Sequence, residues 1–406
     1  MPADRRLRGR VVVLVAIVVF SLSLRTAVTS ITPLLGRISA DMDFGHSVSG
    51  LIGMLPTLMF GLAGVIAPAL GRRFGLENVT LAAVVLTGVG IATRSLAHDT
   101  WLLVLLSVVA LFGMGVGNIL IPPLVKRYFS DRIASISTLY ILAVQLGTTV
   151  PAAVAVPSAD AAGWRWSLAV WAILPLIALG PWISVARSRA HEVAGGDAEQ
   201  TPPRLPVWRT PMAWGMTLLF GMTSLMTYSL FTWLPEVLQD AGGSESLGGL
   251  SVAVFSGVGF LGTFVAPWAA TRFANPYPAV VFFGACMISG FAGLLWAPLT
   301  APMLWAVLTG IGATSFPLAL TLINVRTRTS AGSSSLSGFA QGVGYLVACA
   351  GPLLFGVLHD VTHGWTVPFG FLTGALVLML AGGWVICQPR YLEDQLVEHA
   401  STSDAD

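Results

Sequence analysis

The chain alternates long apolar runs with short polar breaks. Apolar runs cover about 11–35, 47–71, 78–96, 101–124, 133–157, 165–186, 211–234, 246–270, 277–297, 301–324, 333–358 and 366–386. Each is about as long as the ~20 residues that a helix needs to cross a hydrocarbon core ~30 Å thick. The longest polar segment, Arg187–Arg209, contains ARSRAHEVAGGDAEQTPPRLP, whose Gly, Pro and charge content marks a linker. The pattern predicts an all-α membrane protein of twelve transmembrane helices. It has a six-helix half at 1–186, a linker at 187–210, a second six-helix half at 211–386 and a polar tail at 387–406.

Composition agrees with lipid as the main solvent: 55% of residues are hydrophobic, 10% are charged, and mean hydropathy is +0.80. The opening RRLRGR and its apolar run imitate a signal peptide. That run is too long for a signal core and has no clean cleavage site, so it is read as a first span. Cys286, Cys349 and Cys387 lie in or at the ends of apolar runs without metal-ligand spacing, as small buried hydrophobes do.

Basic residues set the orientation. Seventeen of the 21 fall on one side, including Arg5, Arg6, Arg8, Arg10, Arg72, Arg73, Lys126 and Arg127. At most three, Arg37, Arg94 and Arg165, fall on the other, and Arg25 lies in the membrane. Both termini and the linker are therefore expected in the cytoplasm of an inner-membrane protein. The halves also repeat each other. Arg73 pairs with Arg272, LFGMGVG at 111–117 with LTGIGAT at 308–314, Gln145 with Gln341, Pro151 with Pro352, and Gly163-Trp164 with Gly364-Trp365, at offsets of 196 to 201. Parallel six-helix repeats imply a solute site near the midplane.

The anomaly is Arg25, 14 residues into the first run and so roughly 21 Å along it. A charge there costs about 2.5–3.5 kcal/mol on insertion scales. Ser21, Arg25, Thr29 and Thr32 follow helical spacing and predict one polar stripe. A planar guanidinium with five donors suits a small oxyanion or carboxylate. The alternative for Arg25 is a bond to backbone carbonyls of a neighbouring broken helix, or snorkelling outward. No Asp, Glu or His falls inside the twelve predicted runs, and Glu236 and Asp160 sit near outer ends. A bound anion is thus the expected partner of Arg25, and proton exchange through a buried carboxylate is disfavoured.

Asn118, Gln145, Tyr228, Ser315, Gln341 and Tyr345, with Thr227 beside Tyr228, are further candidates for a solute-binding wall. An interhelical hydrogen bond is the competing role for Asn118, and packing that for the aromatics. Arg94 closes the third run and reads as a snorkelling anchor, with recruitment of anions the alternative. Gly113, Gly117 and Gly312, with Gly115 and Gly310, permit close helix approach. Pro151 and Pro352, with Pro122, Pro123 and Pro317, permit bends. Together with Arg73, Gly75 and Arg272 they form the candidate gating set.

Several stretches resemble one family. LRTAVTSITPLL, GMGVGNILIPPLVKRYF, GWRWSLAVWAILPLIAL, WLPEVLQDAG and SFPLALTLINVRT are similar to the cyanate permease and 2-nitroimidazole transporter family. With the repeat and the cytoplasmic linker, nearly the whole chain resembles the major facilitator superfamily. The superfamily's loop after the second span reads like G-x-L-a-D-R-x-G-R-R. Here it reads PALGRRFGLEN: Arg73 and Gly75 match, but Arg72 stands at the aspartate, with Glu77 a possible substitute acid.

The resemblance implies transport of a small anion, cyanate-like or a small oxyanion or carboxylate, by alternating access. Export of a nitroimidazole-like or other small drug is the alternative. A non-transporting sensor would need a soluble signalling domain larger than the linker or tail. An intramembrane enzyme would need buried catalytic groups. No cofactor, metal or nucleic acid is implied, and the protein is expected to work as a monomer in the bilayer.

Overall fold

The computed structural model describes residues 2–129, 131–190 and 205–396. Side chains 1–9 and 188–190, the linker's 191–204 and the tail's 397–406 are outside that description. The positions expected for Arg5, Arg6, Arg8, Arg189, Arg204 and the tail acids Glu398, Asp404 and Asp406 therefore lie beyond it.

The described residues are helical with no strand. In order the helices are α1 (Pro2–Ser23), α2 (Thr26–Thr29), α3 (Leu35–Met42), α4 (His46–Phe74), α5 (Leu76–Arg94) and α6 (Thr100–Tyr128). They continue with α7 (Ile133–Ala169), α8 (Ile173–Ala190), α9 (Pro211–Asp240), α10 (Glu245–Arg272) and α11 (Tyr277–Trp296). The last five are α12 (Pro302–Gly312), α13 (Ser315–Val325), α14 (Ser330–Ala348), α15 (Ala350–Thr362) and α16 (Thr366–Ile386). Among the described residues, ten stretches are long and apolar enough to cross a membrane. One of them, Ser135–Arg187, is 53 residues long and is broken at Gly163, whose φ of 82° only glycine adopts without strain. That break separates the fifth and sixth runs. The 30-residue α9, nearly all buried, is the seventh run, so the twelve runs correspond to helical crossings.

The first run is not one helix. α1 ends at Ser23, Leu24 and Arg25 form a turn, and Arg25 precedes α2 at φ −130°. A 3-10 turn at Thr32–Leu34 then leads into α3. The local chemistry accounts for the interruption. The Ser23 hydroxyl donates to the Phe20 carbonyl at 2.7 Å and the Thr26 hydroxyl to the Ser23 carbonyl at 3.0 Å, competing with the helical ladder. Pro33 removes one more donor. The expected Ser21–Arg25–Thr29–Thr32 stripe therefore rests on a helical continuity that the chain lacks. Two other runs are also divided, at Ala313–Thr314 between α12 and α13 and at Cys349 between α14 and α15.

The chain forms two compact units. Unit 1 comprises 1–45, 62–199 and 245–253; unit 2 comprises 46–61, 200–244 and 254–406. In unit 1, α5 and α6 approach so closely that a Cβ on Gly113 would lie 2.6 Å from the Thr87 hydroxyl. Gly147 of α7 packs against the Leu22 carbonyl of α1, where a Cβ would overlap the oxygen. Trp182 of α8, fully buried, donates its indole N–H to the Ala16 carbonyl at 3.1 Å. Residues 245–253 join this unit through Arg37, which pairs with both Glu245 and Asp160. In unit 2, residues 46–61 pack against α9 and α15: Gly50 abuts the Pro352 carbonyl and Gly53 abuts Thr232. The buried Arg326 guanidinium donates to the carbonyls of Ala274, Ile386 and Cys387. The last two are orphan carbonyls at the C-terminus of α16.

Candidate solute-binding site

Arg25, Thr29, Asn118 and Gln145 belong to unit 1. Arg25 lies in the turn between α1 and α2 and is half-buried. Its carbonyl accepts from the Val28 amide at 3.0 Å and the Thr29 amide at 3.2 Å. The buried Thr29 hydroxyl returns to that carbonyl at 3.4 Å, so Thr29 braces the turn. The turn itself is immobilised from outside. Arg94, 1% exposed, donates to the Ala27 carbonyl at 2.8 Å and the Ser30 hydroxyl at 3.0 Å, while its Nε has no partner among the described residues.

This corrects the reading of Arg94 as a snorkelling anchor. Its side chain turns inward because an interrupted helix exposes polar groups that need donors. The role offered as the alternative for Arg25, binding a broken helix, is the role Arg94 performs. Asn118 donates to the Met114 carbonyl of its own helix at 3.1 Å rather than to a neighbouring helix. Gln145 is half-buried on α7, two residues from the tight Gly147 contact that holds α7 to α1.

Tyr228, Ser315, Gln341 and Tyr345 belong to unit 2. The structure brings the two tyrosines onto one phenylalanine: Phe60 lies 6.4 Å from the Tyr228 ring and 6.1 Å from the Tyr345 ring, both edge-on. Tyr345 also meets Phe220 at 5.0 Å, and Phe220 meets Phe316 at 5.0 Å. The edge-on pairs among these contribute ~0.5–1.5 kcal/mol each beyond burial, while Phe220–Phe316 is tilted at 37°. The Ser315 and Thr227 hydroxyls are buried without partners among the described residues, which is costly unless a ligand or water satisfies them. Gln341 donates to the Ser337 hydroxyl at 2.6 Å within α14, which orients its amide.

The gating candidates divide by environment. Gly113, Gly117 and Gly312 sit where a Cβ would meet Thr87, Phe20 and Met287 respectively. They are close-approach positions. Pro151 and Pro352 are buried inside helices; the Pro352 carbonyl accepts from the Trp233 indole at 2.8 Å. Arg73 and Arg272 are exposed at helix ends, and Arg73 lies over the Phe74 ring at 5.3 Å. Gly75 holds the turn between α4 and α5 at φ 83°. The acid of this loop is Glu77, 4% exposed in the first turn of α5. It accepts from the Tyr128 hydroxyl at 2.8 Å and pairs with Arg127 at 3.5 Å. The acid–base contact therefore ties α5 to the end of α6.

Sequence reasoning missed the roles of Arg94 and Gly147, and named Glu77 as the loop's substitute acid without its partners Tyr128 and Arg127. Arg94 and Glu77 were visible as charges beside apolar runs. Which way each turned depended on neighbours far along the chain.

Comparison with known proteins fits this architecture. The family profile of the Major Facilitator Superfamily matches residues 13–352. The chain is 33% identical to the 2-nitroimidazole transporter of Escherichia coli over 379 residues, covering 92% of this chain and 94% of that one. It is 27% identical to the cyanate transport protein CynX of the same organism over 375 residues, covering 90% and 96%. The inward-facing, unoccupied structure of a bacterial homolog to the human lysosomal transporter Spinster superposes with a TM-score of 0.72. That match has 14% identity and covers 95% of this chain and 98% of that one. A multi-pass chain with transporter relatives over nearly its full length, it belongs to the Major Facilitator Superfamily.

Proposed function

We propose that this protein carries a small anionic or nitro-bearing solute across the inner membrane by alternating access, with Arg25 as the principal recognition group. The observation that carries the reading is the position of Arg25 in a helix break within the first span. Interrupted helices within a span are where other transporters hold their solutes. The relatives named for cyanate and 2-nitroimidazole support the solute class. Both solutes present small, electron-rich acceptors that a planar guanidinium can bind with two parallel hydrogen bonds.

Thr29 fixes the Arg25 turn, and Asn118 and Gln145 contribute amides from the same unit. In unit 2, Ser315 and Thr227, whose hydroxyls have no partner among the described residues, Gln341 and the Tyr228 and Tyr345 rings are the candidate solute contacts. The functional halves run 1–186 and 211–386, joined by the linker 187–210 and followed by the tail 387–406. Both termini face the cytoplasm, as the basic-residue asymmetry requires. The glycine contacts and buried prolines serve the rocking of one half against the other, and the monomer is the working unit.

A second reading, export of neutral nitro compounds, is favoured by the higher identity to the 2-nitroimidazole transporter. Counterflow in proteoliposomes against cyanate, nitrite, small carboxylates and nitroimidazoles tests both. Exchange of the anions supports the first, exchange of nitroimidazoles alone supports the second, and exchange of neither refutes the shared role of Arg25.

A further inference from the structure

One titratable cluster takes no part in the solute site. It lies wholly in unit 2, where the start of α4 meets the ends of α9 and α15. His46 and His359 face each other with ring centroids 4.7 Å apart. His46, His359 and Asp360 each offer a ligand atom, and these atoms all lie within 4.8 Å of one another. We propose that His46, His359 and Asp360 form a binding site for one divalent transition-metal ion of the zinc type, oriented by Glu236 and Asp240.

The case rests on how each imidazole is held. His46 Nε2 lies 2.8 Å from Glu236 Oε1, and its Nδ1 faces Asp360 Oδ1 at 2.8 Å. His359 Nε2 lies 3.7 Å from Asp240 Oδ2. Its Nδ1 is buried and has no hydrogen-bond partner among the described residues. His46 thus turns Nε2 to an outer carboxylate at hydrogen-bond distance and Nδ1 to Asp360, while His359 turns Nε2 to Asp240 at ion-pair range and keeps a buried Nδ1 for the interior. Metal-bound histidines are arranged this way: the carboxylate takes the second N–H, fixes the tautomer and raises ligand basicity.

The outer groups are fixed in turn. Asp240 Oδ2 accepts the Trp365 indole N–H at 3.1 Å, and Trp365 stacks on His359 at 3.9 Å. Asp360 Oδ2 accepts from the amide and hydroxyl of Ser47, which leaves Oδ1 for the interior.

Charge points the same way. Three carboxylates surround two imidazoles, so the cluster lacks positive charge unless a cation or protons supply it. One proton on His46 would serve Glu236 and Asp360 but would leave His359 Nδ1 buried and unused. A divalent ion takes both inner nitrogens and Asp360 together. The mixed N/O donor set suits zinc, cobalt or nickel better than calcium or magnesium. Side-chain exposures of 35% for His46, 32% for Asp360 and 23% for Glu236 leave a path from water.

The test is metal binding by the purified, untagged full chain in detergent, independent of transport. Zn²⁺ is titrated calorimetrically, and Co²⁺ is followed by its visible ligand-field absorption. The expected result is one ion per chain with an absorption band typical of nitrogen and carboxylate ligands. His46→Ala and His359→Ala should each weaken binding ~100-fold or more. Glu236→Gln and Asp240→Asn, which remove only the outer carboxylates, should weaken it ~10–100-fold. His363→Ala, outside the cluster, should bind as wild type. Absence of saturable binding would overturn the proposal, as would unchanged binding by monodisperse His46→Ala/His359→Ala protein. Proton uptake at the cluster without cobalt absorption would assign it to protons and overturn it equally.

Discussion

Replacing Glu77 tests the fold where the loop departs from the superfamily pattern. The carboxylate is 4% exposed and accepts the Tyr128 hydroxyl at 2.8 Å. A hydrogen bond to a charged group contributes about 1.5–3 kcal/mol. The contact with Arg127 at 3.5 Å involves a cation that is 35% exposed, so screening holds its share to about 0–1 kcal/mol. A carboxylate in the first turn of α5 adds about 0.3–1 kcal/mol from the helix dipole. Glu77→Ala should therefore destabilise the protein by about 2–5 kcal/mol. Glu77→Gln keeps a neutral acceptor for Tyr128 and should lose about half of that. Thermal unfolding in detergent, followed through the tryptophan fluorescence, should rank wild type above Gln and Gln above Ala. At about 2–4 °C per kcal/mol for a large domain, Glu77→Ala should lower the apparent midpoint by roughly 4–20 °C. A midpoint within 1 °C of wild type for Glu77→Ala would refute the reasoning. Equal losses for Ala and Gln would show that charge alone matters and that the Tyr128 bond contributes nothing.

Other sites give sharper contrasts. Arg94→Lys cannot span both the Ala27 carbonyl and the Ser30 hydroxyl; it should lower the unfolding midpoint and reduce transport together, because the held turn carries Arg25. Gly147→Val should sharply reduce the yield of monodisperse protein by forcing α7 off Leu22, whereas Gly180→Ala, with open space around it, should be neutral or mildly stabilising. At the C-terminal end, burial raises the Glu393 carboxyl. Hydrogen bonds from the Arg328 and Thr329 amides and the Thr329 hydroxyl outweigh it and hold the group below the usual carboxylate range. A depressed folded pKa means the stabilisation is complete above the unfolded value and is lost as pH falls through the folded one. Hydrogen exchange of residues 391–396 should accordingly be slow at neutral pH and rise at acid pH below the ordinary carboxylate range, and Glu393→Gln should abolish that dependence.

The helical architecture was legible because lipid imposes a simple code: ~20 apolar residues per crossing and basic residues to one side. The repeat was legible because glycines and prolines recur at a near-constant offset, and Gly113 and its counterpart Gly310 are both close-approach positions. The helix breaks were less legible. Val11–Leu35 has the composition of one continuous span, and only serine and threonine hydroxyls returning to Phe20 and Ser23 carbonyls, with Pro33, interrupt it. Single-residue direction was least legible. Arg94 at the end of an apolar run looks the same in sequence whether it reaches water or folds back onto Ala27 and Ser30. The His46 cluster was hidden for another reason. His46 lies more than 300 residues from His359 and Asp360, and all the members sit at span ends, where the helices extend beyond the apolar runs that predicted them.

The central claim concerns Arg25, and the most direct measurement is counterflow by Arg25→Lys beside wild type in proteoliposomes, at matched, monodisperse protein. Lysine keeps the charge and loses the planar fork. With one charged hydrogen bond of about 1.5–3 kcal/mol lost, exchange of the preferred anion or nitro compound should fall about 10- to 150-fold. The unfolding midpoint should stay within a few degrees of wild type. Wild-type exchange by Arg25→Lys would contradict the account and make Arg25 a structural residue.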